Sequence, residues 1–153
     1  MYTTTHDLLQ VNEQYRSYWT DYCIALYDIM KLGTHGVCID VYFTDECHGL
    51  MGSTDYLEDV SIEIAMFNKD TGNLYESSVL HQTIAHEFIH AKQFASGRLF
   101  HDGIHCNIDG ELESGWVWEG KLYINTPYNE RPWEIEADIA TPMLVNNTLY
   151  SMR

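Results

Sequence analysis

Five consecutive residues, His86-Glu87-Phe88-Ile89-His90, carry the clearest chemical signal in the chain. Two histidines four positions apart lie about 40° apart around an α-helix and one turn along it, so both imidazoles reach one metal ion. A glutamate directly after the first histidine projects beside that ion rather than onto it, where it can take a proton from a water that the metal activates. Five residues thus supply two ligands and a general base. Chance gives about 0.03 such matches in a chain of this length and composition.

A catalytic zinc site needs a third protein ligand and an open position. The best source is Glu134-Ile135-Glu136-Ala137-Asp138. Glu134 and Asp138 share a helix face, whereas Glu136 points about 200° away from Glu134. With Glu134 on the metal, Asp138 is placed to accept a hydrogen bond from the outer nitrogen of a ligand histidine. Glu136, the alternative ligand, has Ala140 four positions on and no such companion.

HExxH followed by Glu-x-x-Ala-Asp on a later helix resembles the gluzincin-type zincin metallopeptidases. The second motif is similar to that of the HtpX and CAAX-prenyl-protease family. The short chain looks more like ImmA/IrrE-type proteins and minimal zincins of bacteria and phages. The resemblance covers roughly Val37 to Ala140, and its specific part is the two motifs. It implies His86, His90 and Glu134 as zinc ligands and Glu87 as the base. The transmembrane helices of the prenyl-protease group are missing, as are a DNA-binding extension and the Leu-Pro ending of the ImmA helix, so repressor cleavage is not expected.

A hydrolase of this kind also needs a donor for the developing oxyanion. Tyr128, just before the Glu134 segment, is the first candidate, with Tyr123 and His105 behind it. His101 and His105 form a second four-residue pair, with Cys106 adjacent and Cys47-His48 elsewhere. Gly103 between the two histidines argues against a helix there, and loop histidines are the simpler reading. His81, off the ligand face, reads as structural or surface.

The elements that must position these groups follow from hydrophobic periodicity. Leu8, Val11, Tyr15, Tyr18, Trp19, Tyr22, Leu26, Ile29 and Met30 predict a long first helix, with Thr4 as N-cap, Asp7 at N3 and Gly33 at C′. Val37 to Phe43 and Ser61 to Phe67 alternate as strands. Asp45 to Asp59 is polar and reads as a loop, and Asn68 to Asn73 as a turn. The motif helix runs from Ser77 or Ser78 to about Ala95, with Gly97 as its stop. Arg98 to Glu113 is a polar stretch. Trp116 to Ile124 forms a hairpin turning at Glu119-Gly120. A final helix begins at Pro132, and Pro142 ends or kinks it. The expected fold is α+β and zincin-like, in a single domain over residues 1–153. It has an N-terminal helix on a small mixed sheet, an active-site helix, a β-hairpin and a C-terminal glutamate helix.

Composition bounds the partners. The chain has 153 residues, 45% hydrophobic and 13% aromatic, enough for one hydrophobic core. Its net charge is −15 with only 8 Lys and Arg, which argues against nucleic-acid or anionic-membrane binding. No segment reaches the length of a membrane span and no signal peptide is evident. The four cysteines form no CxxC pair, consistent with reduced thiols in a cytoplasmic protein. Asn146-Asn147-Thr148 fits a glycosylation sequon without a secretory route to use it. The expected function is zinc-dependent peptide hydrolysis, with Zn2+ as cofactor and a polypeptide, basic or extended, as substrate. In the families resembled, the strand from Ile62 to Phe67 is the sheet edge that aligns it. The rival is a catalytically silent, metal-stabilised acidic protein that binds or inhibits a basic partner. A non-peptide amide hydrolase would use the same chemistry.

Overall fold

The computed structural model describes residues 2–5, 13–45, 52–56 and 59–153, with the backbone alone at 2–5, 13, 15 and 56. Among these residues the fold is α+β, with three α-helices and two small sheets. The first sheet contains β1 (Tyr2–Thr5), β2 (Ile39–Thr44), β3 (Gly52–Tyr56) and β4 (Val60–Ala65) in the order β1-β2-β4-β3. β1, β2 and β4 are parallel, and β3 runs antiparallel to β4. The period-2 reading holds. Ile39, Val41 and Phe43 of β2, together with Val60, Ile62 and Ile64 of β4, fill the core from one face.

The N-terminus departs from expectation. Thr4 pairs in register with Tyr42, so it belongs to a strand and is not a helix cap. The β-branched Thr3-Thr4-Thr5 run favours that extended backbone. Asp7, Leu8 and Val11 lie outside the described residues. Helix α1 covers Glu13–Ile29 and buries Trp19, Tyr22, Cys23 and Leu26. Beyond it the left-handed residue is Lys31, not Gly33, which lies within a 3-10 helix over Leu32–His35. That tighter turn drives Leu32 fully into the core.

The stretch from Asp45 to Asp59, expected to be a loop, contains β3. β4 is therefore an interior strand, and among the described residues the outermost strand on this side is β3. Gly52-Ser53-Thr54-Asp55-Tyr56 has no apolar alternation, so its strand state comes from pairing with β4 rather than from its own pattern.

Helix α2 (Ser77–Ala95) runs through the centre and touches β3, β4, α1 and α3. Leu80, Ile84, Ala85, Phe88, Ala91 and Phe94 bury most of its circumference, as a core helix requires. It ends in a Schellman turn: Gly97 N–H donates to Phe94 O at 2.9 Å, and Arg98 N–H to Gln93 O at 3.1 Å. Gly97 takes the left-handed φ of 73° that this turn demands.

The polar stretch after α2 is also a strand. β5 (Leu99–Cys106), β6 (Leu112–Trp118) and β7 (Lys121–Ile124) form an antiparallel sheet, with β5 irregular between His101 and Ile104. The hairpin turns at Glu119-Gly120 as expected, both residues at positive φ (48° and 84°). One side of this sheet sets Trp116, Trp118 and Tyr123 against Trp133.

Helix α3 covers Pro132–Ser151 and continues past Pro142, so of the two expectations, an end or a kink, the end does not occur. A proline inside a helix costs roughly 3 kcal/mol. Here Leu144, Val145, Leu149 and Met152 pack on the core, and that burial offsets the missing backbone bond. Among the described residues, no helix is long and apolar enough to cross a membrane.

Candidate metal centre

The fold brings the two sequence motifs together. α2 presents His86 and His90 from successive turns, and α3 packs against it with Glu134 in its first turn. His86 Nε2, His90 Nε2 and Glu134 Oε2 make a triangle with each side 3.1 Å. Ligand atoms about 2.0–2.1 Å from a tetrahedral zinc ion would stand roughly 3.3 Å apart. These three therefore have the spacing of a shared cation. Among the described residues, they form the one group of three His, Cys, Asp or Glu side chains that could hold a metal ion.

The outer histidine nitrogens are both engaged. His86 Nδ1 is 3.3 Å from Asp138 Oδ1, the contact expected from the Glu134–Asp138 spacing. His90 Nδ1 is 2.8 Å from Gln93 Oε1, a contact that the motif reading did not include. Gln93 is three residues beyond His90, on the same helix face, and that spacing was its one sequence signal. In the neutral tautomers with each Nδ1–H donating outward, both Nε2 lone pairs point at the Glu134 oxygen. Three electron pairs converging in a nearly dry site repel one another unless a cation lies between them.

The electrostatics agree with that need. Burial alone would raise the Glu134 carboxyl, but bonds from His86 and His90 hold it well below the ordinary carboxylate range. Burial pulls His90 towards neutrality, yet the hydrogen bond and charge of the Glu134 carboxylate prevail and raise it.

Glu87 sits beside this triangle, 7% exposed. Burial raises its carboxyl, opposed by a hydrogen bond from Thr54 and by the two histidines. Thr54 Oγ1 donates to Glu87 Oε2 at 2.6 Å and also lies 3.1 Å from the Glu87 backbone carbonyl. Gly52 makes that approach possible. A Cβ there would stand 2.9 Å from Glu87 Cγ and 3.0 Å from Thr83 Cγ2. Neither Thr54 nor Gly52 was identified from sequence, because both fall in the segment read as a loop.

Other expected site residues separate clearly. Tyr128, in the 3-10 turn Tyr128–Glu130, lies near enough to the Glu134 carboxylate to feel its charge and is half exposed. Burial and that carboxylate both push its hydroxyl pKa up. Tyr123 packs edge-on against Trp133. His105 lies on β5, 3.3 Å from Asp102, with its ring against Gly115. His101 stacks edge-on against Trp116, so the two β5 histidines belong to a strand rather than to a loop. Cys47 and His48 lie outside the described residues. Glu136 faces away from the triangle and holds the Arg98 guanidinium with both oxygens, at 2.9 and 2.6 Å. It is not placed as a ligand. His81 is enclosed by Tyr18, Trp19 and Tyr22, with Tyr18 Oη 2.7 Å from its Nε2.

No family profile matches the chain, and comparison with curated proteins and with solved structures likewise finds no match. The site's chemistry accordingly rests on its own geometry.

Proposed function

We propose that the protein is a zinc-dependent hydrolase of peptide bonds, with His86, His90 and Glu134 as metal ligands and Glu87 as general base. The observation that carries this reading is the 3.1 Å triangle of two imidazole nitrogens and one carboxylate oxygen, with a buried glutamate beside it. Two nitrogens and one oxygen suit zinc, and three protein ligands leave a position open, as catalytic zinc sites do. A bound zinc ion supplies Lewis-acid activation of a water and of the scissile carbonyl.

The residues of the chain do the remainder. Glu87 accepts the proton that water loses as its oxygen bonds to the carbonyl carbon. It then delivers that proton to the amine nitrogen as the C–N bond breaks. Its raised pKa, from burial, suits a group that must both take and give a proton. Tyr128, near Glu134 at the rim of the site, supports the oxyanion by donating its hydroxyl to the developing charge. β3, whose one strand partner among the described residues is β4, is the last strand of its sheet there and lies next to Glu87. An extended polypeptide pairs there through its backbone, and the −15 charge favours basic sequences.

The test is Glu87→Gln. The variant keeps its zinc and loses hydrolysis of an unstructured basic polypeptide such as a denatured histone. Full activity in that variant ends the proposal.

A further inference from the structure

A chain of hydrogen bonds leads from the metal triangle to the protein surface, and the direction of every bond in it is fixed by chemistry. Arg98 is a donor only and Glu136 an acceptor only. Both Glu136 oxygens are held by Arg98, at 2.9 and 2.6 Å. The side of the Gln93 amide facing Glu136 Oε1 (3.2 Å) and the Trp133 carbonyl (3.0 Å) meets acceptors only. That side must be the NH2 group, since an oxygen there would face two acceptors at once. The Gln93 carbonyl oxygen is then turned to His90 Nδ1 at 2.8 Å. An acceptor at Nδ1 requires Nδ1–H, and a neutral imidazole with Nδ1–H carries its lone pair on Nε2. The lone pair thus points into the triangle.

The outer end is anchored as firmly. Arg98 also donates to Glu119 Oε1 at 3.0 and 2.7 Å and stacks over the Trp118 ring at 4.6 Å. Glu119 N–H returns a bond to the Arg98 carbonyl at 2.8 Å. The Schellman turn at Gly97 folds Arg98 back towards Gln93, whose carbonyl accepts the Arg98 N–H. Gln93 is 1% exposed, whereas the Arg98 and Glu119 side chains are well exposed. The relay therefore runs from the β6–β7 turn into the core.

We infer that Gln93, locked by Glu136 and Arg98, is a positioning residue that fixes the metal-binding tautomer of His90, and that the hairpin turn tunes metal affinity through it. This rests on the metal-site reading above and adds a role for the carboxylate that reads, in sequence, as an alternative ligand. Outer partners of ligand histidines typically contribute ten- to a hundred-fold to metal affinity.

Two measurements test it in the full chain. The first is imidazole nitrogen NMR of the metal-free protein at alkaline pH, which reports the His90 tautomer without any metal or turnover. With Glu134→Ala removing the competing acceptor 3.1 Å from Nε2, His90 should show Nδ1–H, and adding Gln93→Leu should shift it towards Nε2–H. The second is zinc affinity by chelator competition, in variants whose fold is verified by circular dichroism. Gln93→Leu should weaken zinc by about ten- to a hundred-fold, with smaller losses for Glu136→Ala and Arg98→Met. An unchanged tautomer and affinity on Gln93→Leu substitution overturns the inference even if the wild type binds zinc. Unchanged affinity in both Glu136→Ala and Arg98→Met overturns its outer half. A wild type that binds no zinc, with the tautomer shift still seen on Gln93→Leu substitution, supports the relay and contradicts the metal reading alone.

Discussion

Thr54 Oγ1 stands 2.6 Å from Glu87 Oε2, so β3 grips the carboxylate next to the metal triangle. A hydrogen bond to a charged group contributes about 1.5–3 kcal/mol. Thr54→Val should therefore lower stability by about that much, as read from urea denaturation, while Thr54→Ser should stay near the wild type. Hydrolysis should fall in the valine variant with zinc content intact, because Thr54 touches the base and none of the ligands.

Gly52 leads to a separate expectation. The Cβ of Gly52→Ala would sit 2.9 Å from Glu87 Cγ, closer than real contacts allow. Either the strand retreats or the carboxylate turns aside, and both remove the base from its place. The variant should bind zinc at wild-type stoichiometry and lose most of its turnover rate. Steady-state kinetics beside a metal assay checks this.

The two glutamates should respond to pH with opposite signs in the metal-free protein. Burial raises the Glu87 carboxyl above its ordinary 4.5, so its contribution to stability is present below about 4.5 and lost as pH rises through the folded value. Glu87→Gln should accordingly melt higher than the wild type at neutral pH, and the gap should close in acid. Glu134 is held low by the histidines against its burial. Its contribution is present above about 4.5 and lost as pH falls. Glu134→Gln should melt lower at neutral pH, by a margin that shrinks in acid. Thermal melts in chelator across that range decide both.

The sequence carried the site further than the scaffold. His86, Glu87 and His90 are legible because helix geometry alone converts their spacing into a shared face. Glu134 is separable from Glu136 because Asp138 lies one turn on. β2, β4, α2 and the β6–β7 hairpin are legible because apolar period and turn residues coincide there. β3 and β5 are not, since neither Gly52–Tyr56 nor the Gly103-interrupted run to Cys106 alternates, and both become strands by pairing with a neighbour. Thr54 was invisible, and Gln93 marked only by its spacing from His90, for a related reason. Each acts by touching one particular atom of a residue brought close by the fold. The continuation of α3 beyond Pro142 likewise depends on core contacts of Leu144, Val145 and Leu149, which outweigh a local breaker.

The central claim is that His86, His90 and Glu134 bind a zinc ion. Elemental analysis of the purified protein, run in parallel on His90→Ala, tests it most directly. One zinc per chain in the wild type, and none in His90→Ala, is the expected result. A wild type without metal, or a variant that retains it in full, would contradict the account.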